Sequence, residues 1–95
     1  GIAVVRISGS GCLGILKRHL RLSAIPRWRE LHLARFHRDD GQGEEIDQVL
    51  TAFFPKPNSF TGEEVVELHC HGSPFIVREI MSALAAAGIR HARPC

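Results

Sequence analysis

The sequence predicts an α+β domain, in which a small mixed β-sheet of about five strands carries two helices on one face. Several short segments are rich in β-branched residues or alternate between apolar and polar residues, as strands do. Two other segments repeat apolar residues every three or four positions, as amphipathic helices do. Because the 95 residues contain no repeat or internal linker, we expect a single domain over residues 1–95.

The chain begins with a strand and a helix. Residues 1–8 form a nearly continuous apolar run, which is typical of a central strand buried on both faces. After a Ser-Gly-Ser-Gly turn, Leu13, Leu16 and Leu20 recur at helical spacing. This first helix should end before Pro26.

The middle of the chain predicts three strands. Segments 29–37 and 46–54 flank the acidic, glycine-containing sequence DDGQGEE, so they should pair as an antiparallel hairpin. A loop with the turn residues Asn58 and Ser59 then leads into a strand over Glu64–Cys70.

The last third of the chain predicts a helix and a short strand. Ser73 is a good N-cap, Pro74 suits the first helical position, and Gly88 is a typical stop. A short strand should follow over residues 89–93. The predicted core consists of apolar side chains from these strands and helices: Val5, Ile7, Leu16, Leu20, Val66, Leu68, Val77, Ile80 and Leu84.

Composition excludes several classes of protein. No window approaches the ~18 apolar residues of a membrane span, and the first residues lack the features of a signal peptide, so we expect a soluble, cytoplasmic protein with no membrane partner. The cysteines, Cys12, Cys70 and Cys95, are odd in number and widely spaced. Free thiols are therefore expected.

Positive charge is concentrated at the start of the chain. Residues 1–29 contain six Lys and Arg and no acid, whereas residues 30–95 contain ten acids and six bases. This basic block could attract RNA phosphates, and tRNA is a candidate partner. A solvated helix face explains the same pattern, and a small RNA-binding module would need interleaved aromatic residues, of which only Trp28 is available.

Polar residues interrupt two of the predicted strands. Arg6 would be costly to bury in an apolar strand without a partner, and Glu67 is the natural candidate for that partner. The pair can either fix sheet register or form a ligand site. Glu67, His69 and His71 share one strand face, but the sequence contains no zinc-like spacing, so we predict no metal.

Catalytic motifs are not evident in the sequence. Ser59, Thr61 and Cys70 have no GxSxG motif or recognisable base partner, and no GxxxxGK[ST] phosphate loop is present, so we predict no catalytic residue. Cys70 is expected to be a small core side chain, and His71 a hydrogen-bonding residue at a strand end. Four other histidines are interpreted as surface or loop groups: His19, His32, His37 and His91.

Three segments of the chain resemble one known family. They read GIAVVRISG over residues 1–9, NSFTGEEVVELHCHG over 58–72 and GIRHARP over 88–94. All three are similar, in the same order, to the N-terminal domain of the tRNA modification GTPases called TrmE or MnmE. Matches spread over nearly the whole chain are more specific than a single short motif.

The resemblance implies that the domain binds a tetrahydrofolate derivative of the 5-formyl type. The family's folate contacts include the arginine of the VRIS strand and the glutamate of the VEL strand, which are Arg6 and Glu67 here. A carboxylate can accept paired hydrogen bonds from a pterin, and a guanidinium can hold an acidic or carbonyl group. A later lysine of the family has no counterpart before Cys95, so the resemblance implies weak folate binding by this chain.

The resemblance also implies partners and a parent activity. It implies a homodimer, and a parent GTPase that uses Mg and K ions in a domain absent from this chain. That parent would act with the flavoprotein MnmG, also called GidA, on carbon 5 of the tRNA wobble uridine. The chain itself would bind rather than catalyse, although its enzymatic role stays open. The family continues RPGEF where this chain reads Arg93, Pro94 and Cys95, so Cys95 departs from the pattern.

A fragment of a folate-dependent aminomethyltransferase is an alternative from another class. The glycine-cleavage T protein shares the folate-binding fold of the TrmE family. A catalytic acid near the folate nitrogen would favour the transferase, and the sequence offers no convincing candidate.

Overall fold

The structure is a computed structural model that describes residues 1–39, 43–56 and 62–95. The predicted order of strands and helices is confirmed, although the bounds differ by a few residues. The turn residues 40–42 of DDGQGEE and the loop residues Asn58, Ser59 and Thr61 lie outside the described residues. The elements are β1 (Ile2–Ser8), α1 (Cys12–His19), β2 (His32–His37), β3 (Glu45–Phe54), β4 (Val65–His71), α2 (Pro74–Ala86) and β5 (His91–Pro94).

The α+β class is confirmed, but the sheet is antiparallel rather than mixed. Its strand order is β2-β3-β4-β1-β5, and each of the four pairings between described strands is antiparallel. A chain order in which a helix joins two strands, as α2 joins β4 and β5, is common between parallel neighbours. β4 and β5 do run in the same direction, but β1 lies between them and is antiparallel to both.

Both helices pack on one face of the sheet, as expected. Val5 and Ile7 of β1 pair with Leu68 and Val66 of β4, and all four belong to one core cluster with Leu16 of α1. Ile80, Ala83 and Leu84 of α2 join the same cluster. The opposite face carries neither helix and is called the open face below.

β1 is not buried on both faces, contrary to the prediction. Val5 and Ile7 are fully buried, whereas Ile2 is 74% exposed. β1 is the fourth of five strands, and β4 occupies the centre of the sheet. A run of β-branched residues therefore identified a strand correctly but did not determine its place in the sheet.

Most of the predicted core is confirmed. Eight of the nine predicted side chains are buried, and Val77 is partly buried against the cluster. The prediction missed Cys12, because a cysteine after a glycine turn gives no periodic signal. It also missed the core residues contributed by the hairpin: Ala34, Phe36, Val49 and Phe53.

The two helices begin in different ways. Ser73 caps α2 as predicted, because its hydroxyl accepts a hydrogen bond from the backbone N–H of Ile76. α1 begins after Gly11, which has φ 85° and no side chain to act as a cap. Instead, Oε1 of Glu64 accepts hydrogen bonds from the backbone N–H groups of Gly11, at 3.0 Å, and Leu13, at 3.3 Å.

Removing the carboxylate of Glu64 should destabilise the start of α1. We expect Glu64→Ala to lower the free energy of unfolding by about 1 kcal/mol, because it leaves helix N–H groups without their acceptor. Urea denaturation measures the effect. Glu64→Gln is the matched control and should lose less, because the amide keeps an acceptor oxygen; equal losses in both variants would contradict the capping role.

His19 is buried, so its interpretation as a surface group is wrong. It is 4% exposed and stacks on Phe36, with ring centroids 5.6 Å apart. Nδ1 of His19 donates to the carbonyl of His37 at 3.0 Å, and Nδ1 of His37 donates to the carbonyl of His19 at 3.0 Å. These two hydrogen bonds join the end of α1 to the end of β2. The sequence pattern around either histidine does not indicate this contact. His32 and His37 lie in β2 and are partly buried, whereas His91 is exposed in β5.

Neither helix in the described part of the chain has the length and apolar character needed to cross a membrane.

Candidate functional site

Arg6 and Glu67 form an ion pair on the open face of the sheet. They are register partners on β1 and β4, and Nη2 of Arg6 lies 2.7 Å from Oε2 of Glu67. Their side chains are 29% and 16% exposed, respectively, so the pair is only partly desolvated. The predicted placement on neighbouring strands is therefore confirmed. Each residue interrupts an apolar strand, and its ion pair with the other residue explains that interruption.

His69 extends this pair along β4. Its Nε2 lies 3.2 Å from Oε1 of Glu67, so each carboxylate oxygen of Glu67 faces a nitrogen. Burial by itself would raise the pKa of Glu67, but the hydrogen bonds and charges of Arg6 and His69 outweigh it and lower the pKa. The hydrogen bond with Glu67 raises the pKa of Arg6. Glu67 is therefore an ionised acceptor at neutral pH.

The lowered pKa of Glu67 predicts a loss of stability in acid. A carboxyl group whose pKa is lower in the folded state stabilises the fold above its unfolded pKa of about 4.3, and this contribution disappears as pH falls through the folded pKa. We therefore expect the difference in unfolding free energy between the unmodified chain and Glu67→Gln to shrink below about pH 4. Urea denaturation at pH 7 and at several acidic values measures it. A difference that does not change with pH would show that the charge of Glu67 is irrelevant to stability.

His71 occupies the end of β4 and is bonded to a residue that the sequence did not single out. Its Nδ1 lies 2.7 Å from Oδ1 of Asp47, and its backbone N–H donates to Oδ2 of Asp47 at 2.9 Å. This arrangement confirms the strand-end role of His71. Among the described residues, no group of three or more His, Cys, Asp or Glu side chains is placed to hold a metal ion.

A cavity of about 320 Å³ opens beside the ion pair. Arg6 and Ser8 of β1 line it together with His91 and Arg93 of β5, and Arg90 lies just before that strand. Glu67 is not one of its lining residues, so only Arg6 meets the expectation that the pair faces a common pocket. Arg90 and Arg93 were not predicted as site residues, although alternation in GIRHARP places His91 and Arg93 on one strand face.

The cysteine side chains are free thiols, as predicted. Burial raises the pKa of Cys12 to about 12 and also raises the pKa of Cys70. Both thiols are buried and stay protonated at neutral pH, so neither is a reactive nucleophile. Cys70 is a core side chain, as expected, whereas Cys95 is exposed. Ser59 and Thr61 lie outside the described residues.

The fold, the Arg6–Glu67 ion pair and the cavity together define a class of protein: a small α+β domain with an ion pair and a cationic cavity on its open face. The chain belongs to the family described as the GTP-binding protein TrmE N-terminus, whose family model matches residues 1–95. The family resemblance carried by the three sequence segments is thereby confirmed.

Curated relatives agree with this assignment. The chain is 47% identical over 94 residues to the tRNA modification GTPase MnmE of Halorhodospira halophila, a match that covers 99% of the chain and 19% of that protein. It is 42% identical over 94 residues to the protein of the same name from Coxiella burnetii, covering 99% and 20% of the two chains. The corresponding protein of Roseiflexus castenholzii is 39% identical over 94 residues, with the same coverage. The chain thus spans about a fifth of the length of these relatives.

Proposed function

We propose that residues 1–95 are a tetrahydrofolate-binding and dimerisation domain of a tRNA modification GTPase. The observation that carries the proposal is the Arg6–Glu67 pair, which lies on the open face of the sheet and combines an anionic acceptor with a cationic donor. Membership of the TrmE family supports the link to tRNA modification and to a GTPase.

Glu67 is the residue that recognises the pterin ring. Its lowered pKa keeps the carboxylate ionised, so it accepts paired hydrogen bonds from the amino group and ring nitrogen of a pterin. Arg6 faces one oxygen of Glu67 and lines the adjacent cavity, where its guanidinium holds a carbonyl or acidic group of the ligand. The ion pair orients both side chains before the folate arrives, which lowers the entropy lost on binding.

The tRNA modification itself is proposed to be carried out by the longer parent protein. The chain pairs with a second copy, and the parent hydrolyses GTP with Mg and K ions in another domain. With the flavoprotein MnmG it modifies carbon 5 of the wobble uridine of tRNA in the cytoplasm. The folate carries the one-carbon unit, and the 95-residue domain contributes binding rather than catalysis. The name of the relatives, tRNA modification GTPase MnmE, supports the part of this proposal that concerns tRNA modification and a GTPase.

Folate titration tests the proposal. We expect the chain to bind 5-formyltetrahydrofolate weakly and Glu67→Gln to bind it about 30-fold or more weakly, because losing one charged hydrogen-bonding partner costs about 2–5 kcal/mol. Isothermal titration calorimetry measures both affinities, and thermal melting verifies that each variant is folded.

Glu45→Gln is the matched control for this titration. Glu45 lies on β3, carries the same charge and pairs with Arg35 at 3.1 Å, away from Glu67 in the register of the sheet. The control should bind folate as the unmodified chain does. If the chain binds no folate, or if Glu67→Gln binds as well as the unmodified chain, the assigned role of Glu67 is wrong.

A further inference from the structure

The edge of the open face beside β5 carries an excess of positive charge. We define the β5 pocket as the cavity of about 320 Å³ that is lined by Arg6, Ser8, Arg90, His91 and Arg93 together with the apolar residues Val65 and Ala92. Three of these side chains are arginines, and none of the described lining residues is acidic. A cavity of this size is at the lower end of the range for small-molecule sites, large enough for one or two carboxylate groups.

The register of β1 and β5 places like charges side by side in this pocket. Arg6 and Arg93 are direct partners across the two strands, and cross-strand partners lie about 5 Å apart. Such a pair opposes pairing of the two strands, and an anion placed between the two guanidinium groups relieves the repulsion. Arg6 also contacts Glu67 on its other side, so Arg6 lies between a carboxylate and a second arginine.

Glu67, Arg6 and Arg93 form a row of charged side chains across the open face of the sheet. Glu67, Arg6 and Arg93 follow one another across β4, β1 and β5, and two strand spacings separate the first from the last by about 10 Å. A ligand whose ring is held at Glu67 and whose acidic end points towards β5 therefore reaches Arg93. Arg90 and His91 flank that end of the row.

We propose that the β5 pocket binds the carboxylates of the glutamyl tail of a folate, and that it favours polyglutamylated over monoglutamylated folates. The proposal rests on the folate-binding function given above and adds the recognition of the ligand's acidic end. Guanidinium groups bind carboxylates through paired, charge-assisted hydrogen bonds, and each added glutamate supplies a further carboxylate. Because Arg90 and Arg93 are exposed, each contact contributes modestly, and the preference arises from several contacts together.

Calorimetry with two ligands tests this pocket. We expect the unmodified chain to bind the triglutamate form of 5-formyltetrahydrofolate about five- to tenfold more tightly than the monoglutamate form, since two or three exposed ion pairs amount to about that factor. The double variant Arg90→Gln, Arg93→Gln should bind both forms with nearly equal affinity. Raising the salt concentration should reduce the preference of the unmodified chain.

Arg78→Gln is the control for loss of an exposed arginine, because Arg78 lies on α2 and does not line the β5 pocket. It should keep the preference for triglutamate. The double variant should remain folded, since substitution of Arg93 removes the charge opposite Arg6 without touching backbone pairing; a thermal melt verifies this.

The outcomes separate this inference from the proposed function. If both folates bind with equal affinity to the unmodified chain, the tail site is wrong and folate binding stands. If the triglutamate preference survives in the double variant, the tail binds elsewhere and the inference is also overturned. If neither folate binds, both proposals fail, and a short single-stranded RNA that binds through Arg90 and Arg93 would identify the pocket as a phosphate site instead.

Discussion

Phe53→Ala is expected to lower the free energy of unfolding by about 3–5 kcal/mol, the largest effect of any single substitution considered for this domain. Phe53 lies on β3, is fully buried and belongs to the core cluster beside its register partner Val66. Truncation removes the apolar surface of the ring from the core and leaves a cavity that the sheet cannot close. A domain of this length has a total stability of about 5–14 kcal/mol, so the loss is a large fraction of it.

Thermal and urea denaturation measure this effect. For a domain of this size each kcal/mol shifts the melting temperature by about 4–8 °C, so we expect a decrease of more than about 12 °C. Phe75→Ala is the matched control, because Phe75 lies on α2 with 59% of its surface exposed and should change stability little. A loss below about 1 kcal/mol for Phe53→Ala, or equal losses for both variants, would contradict the assigned core.

Leu84→Ala is expected to cost about 2–5 kcal/mol. Leu84 is fully buried on α2, in the cluster that joins this helix to the sheet. Its carbonyl also accepts hydrogen bonds from the backbone N–H groups of Ala87 and Ile89 as the helix ends. Because alanine preserves those backbone bonds and is a good helix former, the loss reports side-chain packing alone.

Leu33→Ala is the control for this substitution. Leu33 lies on β2 and is 65% exposed, so truncation removes the same atoms from a solvated site. We expect a change of less than about 0.5 kcal/mol in urea denaturation. If Leu84→Ala changes the unfolding free energy by less than half a kilocalorie per mole, α2 does not pack on the sheet through this residue.

Local sequence patterns were sufficient for the order of the elements and for the pairing of Arg6 with Glu67. The alternation in VVELHC identified β4 and placed Glu67 and His69 on one face, because side chains alternate along any strand. The capping residues Ser73 and Pro74 marked the start of α2 because their effect on the backbone is local. Arg6 and Glu67 were paired correctly because a charged residue in an apolar strand requires a partner of opposite charge.

Other features depended on contacts between distant parts of the chain. The cap of α1 comes from Glu64, more than 50 residues away along the sequence, and the burial of His19 depends on Phe36 of β2. Neither contact leaves a periodic pattern near the residue concerned. The basic residues of segment 1–29 are divided between the open face of the sheet, α1 and the loop that follows α1.

The sequence by itself determined that this protein is an α+β domain of the TrmE family, with an acidic and a basic residue on two of its strands. Only the tertiary structure decided that β1 lies between β4 and β5, so that the sheet is antiparallel and Arg6 has Glu67 on one side and Arg93 on the other. The physical reason is that strand order and register are set by side-chain packing and hydrogen bonds between segments that are far apart in sequence, such as the 61 residues that separate Arg6 from Glu67.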